Sequence, residues 1–280
     1  MKRVGIAVYV DNNENILQEF QWLRKSWLYS GSWQVSDLVA FYNPTITNFP
    51  DALGDVICIP LKPHTELDLS WKDYPFINSI EYLTRPEASI LSNYQYILRT
   101  DCDTFLTPSF LRLKPRLALF GIGMYASEPI VAAKLAQISA KWGYQSIFNN
   151  VGSTFIAPTE SALLYSQIQM EFCKRLRAEE FPDGFGEWPK WYQGVLTMYA
   201  GQLAASAVFG YNMTLGGLDV HCMSDDKISS TDYHIHAWHT HGYFSKFKWR
   251  EGAYKNIDRT QLNPNKINDY CLLIAGGSPA

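Results

Sequence analysis

The chain has 280 residues, of which 47% are hydrophobic and 18% charged, and a formal net charge of -3. This suits one large α/β domain or two smaller ones and excludes a disordered chain, while the weak negative charge excludes the basic footprint of a nucleic-acid binder. Five scattered cysteines with no C-x-x-C pair argue for a reducing compartment and against a disulfide framework or structural zinc.

MKRVGIAVYV begins with basic residues before an apolar run, as a signal peptide does, but the run is short and passes directly into Asp11, Asn12 and Asn13. It reads instead as a first strand, residues 4 to 10, followed by a capping turn and an amphipathic helix carrying Ile16, Leu17, Phe20, Leu23, Trp27 and Leu28. Leu38 to Tyr42 and Val56 to Leu61 are expected as the second and third strands, and Ile77 to Leu83 and Glu87 to Leu91 as short helical pieces. Strands alternating with helices predict a mostly parallel sheet. No run approaches the roughly 18 apolar residues of a membrane span, so the expectation is a soluble, cytoplasmic protein.

Tyr94 to Pro108, YQYILRTDCDTFLTP, is the stretch around which the rest is arranged. Tyr96, Ile97 and Leu98 read as a buried strand, which leaves Asp101 and Asp103 at its C-terminal mouth, the edge where open α/β sheets bind ligands. Two carboxylates there are costly unless a cation neutralises them, and a divalent metal carrying a phosphorylated ligand would do so. A solvated Asp-rich turn is the alternative.

Beyond Pro108 the pattern predicts a strand over Leu119 to Tyr125 and a helix over Ile130 to Trp142. A strand is expected in the second half of FNNVGSTFIAP, then a long helix capped by Thr159 and running to about Arg177. FPDGFGEWPKW, residues 181 to 191, reads as a loop, followed by a helix from about Tyr192 to Phe209. No linker or repeat interrupts the chain, so one domain over 1–280 is expected, with a nucleotide-binding half (1–108) and an acceptor-binding half (109–280). Five of the six histidines lie between His221 and His241. Alternation in YHIHAW puts His234 and His236 on one face of a strand, and such a cluster is a metal signal. Lys246 and Lys248, just downstream, could bind phosphate or simply be solvated.

A strand ending in D-x-D, a later N-x-G strand, an acidic aromatic loop and a C-terminal H-x-x-G followed by lysine resemble, in that order, the metal-dependent glycosyltransferases of the GT-A fold. The stretch WPKWYQGVLTMYAG and the lack of a membrane anchor look most like the soluble enzymes encoded by large algal viruses, such as chlorella viruses, which glycosylate their own capsid proteins. The resemblance implies a Rossmann-like, mostly parallel sheet, a nucleotide-sugar donor, Mn²⁺ or Mg²⁺, and a glycan or glycoprotein acceptor. UDP-xylose, UDP-glucose and UDP-galactose are the candidate donors. It places Ala7, Val8, Tyr9 and Asp11 around the base and ribose, Asp103 on the metal, and Asp101 on the ribose or the metal. His239 matches the histidine of H-x-x-G, and His241 lies close enough to serve instead. The family's lysine lies three residues after the glycine, whereas Lys246 lies four after Gly242, which leaves open whether Lys246 or Lys248 reaches the diphosphate. Arg85 is a further candidate for a phosphate or base contact, and Asn149, Asn150 and Gly152 are candidates for donor or acceptor hydroxyls, with Asn150 alternatively holding a turn.

Departure of a nucleoside diphosphate develops negative charge, which metal, Lys and His would stabilise. Inversion at the anomeric carbon would further require a carboxylate base, for which Glu187 is the first choice and Asp183 the reserve; the alternative is a solvated loop acid, and without such a base a retaining reaction. A metal-dependent phosphoesterase using the same aspartates and more of the histidines is the competing reading, although no H-x-D or H-E-x-x-H spacing is present. A non-catalytic sugar-binding module fits less well, because such modules are usually β-sandwiches.

Overall fold

The computed structural model describes residues 2–47, 49, 54–182, 184–238 and 242–277. In chain order its principal elements are β1 (Val4–Val10), α1 (Glu14–Tyr29), β2 (Ser36–Tyr42), β3 (Ile57–Pro60), two short helices α2 (His64–Leu67) and α3 (Asn78–Glu81), β4 (Tyr96–Arg99), β5 (Thr104–Leu106) and β6 (Ala118–Ile122). These are followed by α4 (Pro129–Lys141), β7 (Val151–Pro158), α5 (Thr159–Glu180), α6 (Leu196–Phe209), β8 (Met213–Leu215), β9 (Val220–His221), β10 (His234–His236), α7 (Lys246–Arg250) and α8 (Ile267–Gly276).

All seven residues of β1 are buried, because the strand is covered on both faces. Alternate side chains therefore enter two different cores. Val4, Ile6, Val8 and Val10 join Leu38, Leu98 and Ile156 beneath Phe20, Leu23 and Trp27 of α1. Ala7 and Tyr9 join Phe41, Ile97, Phe120 and Phe155 on the opposite face, under Tyr165 of α5 and Ala204, Ala205 and Phe209 of α6. The turn before α1 caps as its sequence suggests, the Asn13 side chain accepting hydrogen bonds from the backbone N–H of Asn15 and Ile16.

The main sheet runs β3-β2-β1-β4-β7-β6-β8. Its strands are parallel except β7, which pairs antiparallel with both β4 and β6. The expected mostly parallel sheet is present, and both halves of the chain contribute to it. A second sheet, β5-β10-β9, closes over the C-terminal mouth of β4.

Some expected boundaries shift. The strand predicted to reach Tyr125 ends at Ile122, where the pairing register shifts after Phe120 and the N–H of Gly123 donates to Asn150. Thr159 is the first helical residue rather than the cap, since its hydroxyl donates to the Tyr94 carbonyl and pins the start of α5 to β4. The helix expected from Tyr192 begins at Leu196, after a 3-10 turn over Gln193–Val195.

Candidate functional site

β4 ends on Arg99, and the turn that follows carries both aspartates. Arg99 is buried, and such a cation requires partners. Its guanidinium donates to the carbonyls of Ser79 and Ser153 and, at 2.7 Å, to Asp101 Oδ1. Ser153, on β7, donates its hydroxyl to Asp101 Oδ2 at 3.0 Å. The Thr104 hydroxyl donates to the Asp101 carbonyl, closing the turn. Both oxygens of Asp101 are thereby oriented by groups from two strands.

Asp103 is more deeply buried and lies between two cationic groups, with Lys246 Nζ 2.5 Å from Oδ2 and His236 Nε2 3.2 Å from Oδ1. Burial opposes ionisation of this carboxyl, but Lys246 and His236 outweigh it and hold its pKa far below the usual range. Burial likewise disfavours the charged form of His236. Asp103 and Asp219 outweigh it, and the imidazole titrates well above its ordinary value.

Asp219 orients this imidazole from behind, with Oδ1 2.9 Å from His236 Nδ1 and Oδ2 accepting the backbone N–H of Thr154 at 3.0 Å. Its own backbone has φ of 53°, a left-handed conformation that Asp adopts more readily than most residues. Room for the carboxylate comes from two glycines. A Cβ on Gly121 or Gly152 would stand 2.1 or 2.3 Å from Asp219 Oδ2. Burial opposes the charged form of Asp219 too, and the bond to His236 outweighs it, holding the carboxyl at about 2.

His234, two residues before His236, behaves in the opposite way. Burial is the largest influence on it and pushes its pKa down to about 4. Asp219 N–H donates to His234 Nδ1, so the ring proton sits on Nε2 and faces the Thr100 hydroxyl at 2.8 Å. His234 is thus a neutral brace for the turn, while His236 faces the aspartates.

Asp101, Asp103 and His236 each offer a ligand atom, and these atoms lie within 4.8 Å of one another. Two hard carboxylates and an imidazole suit Mn²⁺ or Mg²⁺, and the Asp219–His236 pair is the carboxylate–histidine arrangement that orients a metal-binding ring. The group opens into a cavity of about 570 Å³, also lined by Tyr9, Glu19, Trp188, Trp238 and Lys246. Glu19 is buried and ion-paired with Arg250. Burial above all, and then Asp103, raise its carboxyl to about 7.

The other expected site residues divide by position. Ala7 and Val8 are enclosed in β1, and Tyr9 lines the cavity. Asp11, just past β1, accepts hydrogen bonds from the side-chain amides of Asn43 and Asn78. Arg85 pairs with Glu81 at 2.6 Å, away from the cavity lining. Asn150 adopts φ of 56° and accepts the Ala126 N–H, holding a turn, while Asn149 accepts from Gln202. Of the two lysines, Lys246 meets Asp103, and Lys248 donates to the carbonyl of Gly242. Glu187 is 77% exposed, 3.4 Å from Lys190 and not part of the cavity lining, although its neighbour Trp188 is. Asp183, His239 and His241 lie outside the described residues. Arg99, Ser153, Asp219 and the specific role of His236 were missed. The available signals were an arginine inside the strand leading to D-x-D, and the G-G-L-D turn before the histidine strand.

Three solved structures align with the chain. An active-site mutant of LgtC aligns with a TM-score of 0.50 at 10% identity, covering 90% of this chain and 95% of that one. The galactosyltransferase LgtC in complex with donor and acceptor sugar analogs gives 0.48 at 10% identity over the same shares. Glucosyl-3-phosphoglycerate synthase from Mycobacterium tuberculosis, in complex with Mn²⁺, UDP and glucosyl-3-phosphoglycerate, gives 0.37 at 12% identity over 76% of this chain and 69% of that one. The first likeness and the mixed sheet show the GT-A, Rossmann-like fold. No curated protein matches the sequence. Among the described residues, no helix is long and apolar enough to cross a membrane. Over residues 1–275 the sequence matches the family described as Domain of unknown function (DUF7164), and the chain belongs to that family.

Proposed function

We propose that this protein is a metal-dependent glycosyltransferase that moves a sugar from a UDP-sugar donor to a hydroxyl acceptor. The observation that carries the reading is the convergence of Asp101, Asp103 and His236 at the C-terminal mouth of β4, with Lys246 on the same carboxylate. The fold is shared with LgtC, a galactosyltransferase, which supports the same class of reaction.

The chemistry follows from charge. Breaking the bond between a sugar and a nucleoside diphosphate leaves negative charge on the departing phosphate oxygen. A divalent ion held by Asp101, Asp103 and His236 would supply Lewis-acid stabilisation of that charge. Lys246 adds an ammonium whose pKa, although burial opposes it, is raised by Asp103, so it stays charged at neutral pH. Asp219 fixes the His236 ring, and Arg99 with Ser153 fixes Asp101, so the donor atoms need little rearrangement to bind a cation. Tyr9 on the cavity wall and Asp11 at the end of β1 are the groups assigned to the base and ribose. A phosphoesterase with two metals would need a second ligand cluster, and the described residues provide one group of three.

Calorimetric titration of UDP with and without Mn²⁺, on the native chain and on Asp103→Asn, tests the reading. Binding should require both the metal and the carboxylate. UDP binding that is indifferent to Mn²⁺ and to Asp103 would overturn it.

A further inference from the structure

The cavity lining changes character away from the aspartates. Phe76, Ile80, Ile122, Met124, Trp188 and Met198 form its apolar part, contributed by the segment before and within α3, the end of β6, the loop at Trp188 and the first turn of α6. Four of these large side chains are left open to solvent, Phe76 at 60%, Ile122 at 49%, Met124 at 59% and Trp188 at 52%. A cluster of this kind around a polar site marks a surface that is covered when ligand binds.

The polar side chains among them are few, and each already makes a hydrogen bond within the protein. The Ser79 hydroxyl donates to the Phe76 carbonyl, the Ser153 hydroxyl to Asp101, and the Gln169 amide to the Thr197 carbonyl. An extended oligosaccharide exposes a hydroxyl on almost every carbon, and burying it here would leave many of those hydroxyls without partners, at a cost for each one. Trp188 and Phe76 could each stack on a sugar ring. Methionine and isoleucine offer no such face and match alkyl or aryl groups.

We infer, on the basis of the transferase reading, that the acceptor carries its reactive hydroxyl next to an apolar aglycone, which lies against Phe76, Ile122, Met124 and Trp188. The aglycone sets acceptor choice, and the aspartate–histidine group handles the donor. An aryl group and an alkyl chain share this chemistry, and the probes below separate them.

The test measures binding of methyl, phenyl and octyl glycosides of one monosaccharide, and of a methyl disaccharide glycoside, to the full chain by ligand-observed NMR in the presence of Mn²⁺ and UDP. The phenyl or octyl glycoside should bind about tenfold or more tightly than the methyl glycoside, because burial of several carbons in an apolar pocket is worth at least that much. Phenyl ahead of octyl identifies an aryl aglycone, and octyl ahead of phenyl an alkyl chain. Met124→Gln and Ile122→Asn alter exposed side chains and should preserve the fold while removing most of the preference. Equal binding of all three monosaccharide glycosides, tighter binding of the disaccharide, or a preference unchanged in both variants would overturn the inference. Calorimetry with UDP on the same samples reports on the donor site separately, so a failed transferase reading and a failed acceptor inference give different results.

Discussion

The two parts of the cavity lining are built in contrasting ways. At the charged part every donor atom has a fixed partner: Asp101 is held by Arg99 and Ser153, His236 by Asp219, and Asp219 by the Thr154 N–H in a space kept open by Gly121 and Gly152. At the apolar part large side chains project from separate segments into solvent, tied to nothing of comparable strength. Preorganisation is useful where charge must be stabilised at fixed positions, since rearrangement during reaction would consume the benefit. Tolerance is useful where a ligand is recognised by shape and apolar area. The contrast predicts that substitutions in the charged part act steeply, and that those in the surrounding loop act weakly.

The largest effect is expected from Asp103→Asn, which removes a charge shared by the proposed metal, His236 and Lys246. Mn²⁺-dependent UDP binding should fall below detection in calorimetry. Next comes Asp219→Asn, which leaves all three proposed ligands in place and removes only the carboxylate behind the imidazole. Mn²⁺ affinity should fall about 10- to 100-fold, the usual consequence of losing such a partner. If Asp219→Asn binds Mn²⁺ as the native protein does, the rigid description of the charged part fails at its centre.

A pH series sharpens the same point. In the metal-free protein the pKa of His236 is raised well above its ordinary value, so below that pKa the ring holds a proton on the nitrogen facing Asp103. Metal binding must expel it, and Mn²⁺ affinity should therefore rise with pH, by up to about tenfold per unit, and level off above the pKa of His236. Asp103 and Asp219 contribute nothing to the slope near neutrality, because both are held below their usual range and stay ionised, whereas Glu19, raised to about 7, ionises in the same range and adds to the rise. Removing the Asp219 charge should lower the His236 pKa and bring the plateau to lower pH. Calorimetry at pH 6, 7 and 8 checks both statements.

How much of this was legible in the sequence depended on whether the cause was local. VGIAVYV is a buried strand because of its own residues, and Asn13 caps a helix because the helix begins beside it. The D-x-D turn declared itself in the same way. The histidine did not, since alternation puts His234 and His236 on the same face and leaves their roles undistinguished. What separates them is register: β10 pairs antiparallel with β5 so that His236 faces Thr104, next to Asp103, and His234 faces Leu106. The H-x-x-G pattern pointed to His239, which lies outside the described residues, whereas His236 is the histidine that meets Asp103 among those described. Asp219 was harder still. Its role depends on a left-handed turn and on glycines in β6 and β7, so no window of sequence contains its reason.

Glu187 should give the smallest effect and provides the sharpest control on the comparison. Its carboxylate is 77% exposed and shares a solvated pair with Lys190, an interaction worth about 0.2–1 kcal/mol at most. A base for the acceptor hydroxyl must come within hydrogen-bond reach of it, and removing one costs about 10²- to 10⁴-fold in rate. From its position in the loop, Glu187→Gln should change donor turnover by less than about threefold, far short of that range. A loss within that range would instead show that the loop turns inward when acceptor binds, carrying Glu187 toward the cavity alongside Trp188. The carboxylate would then serve as the base of an inverting reaction, and NMR of the product's anomeric proton would show inversion directly.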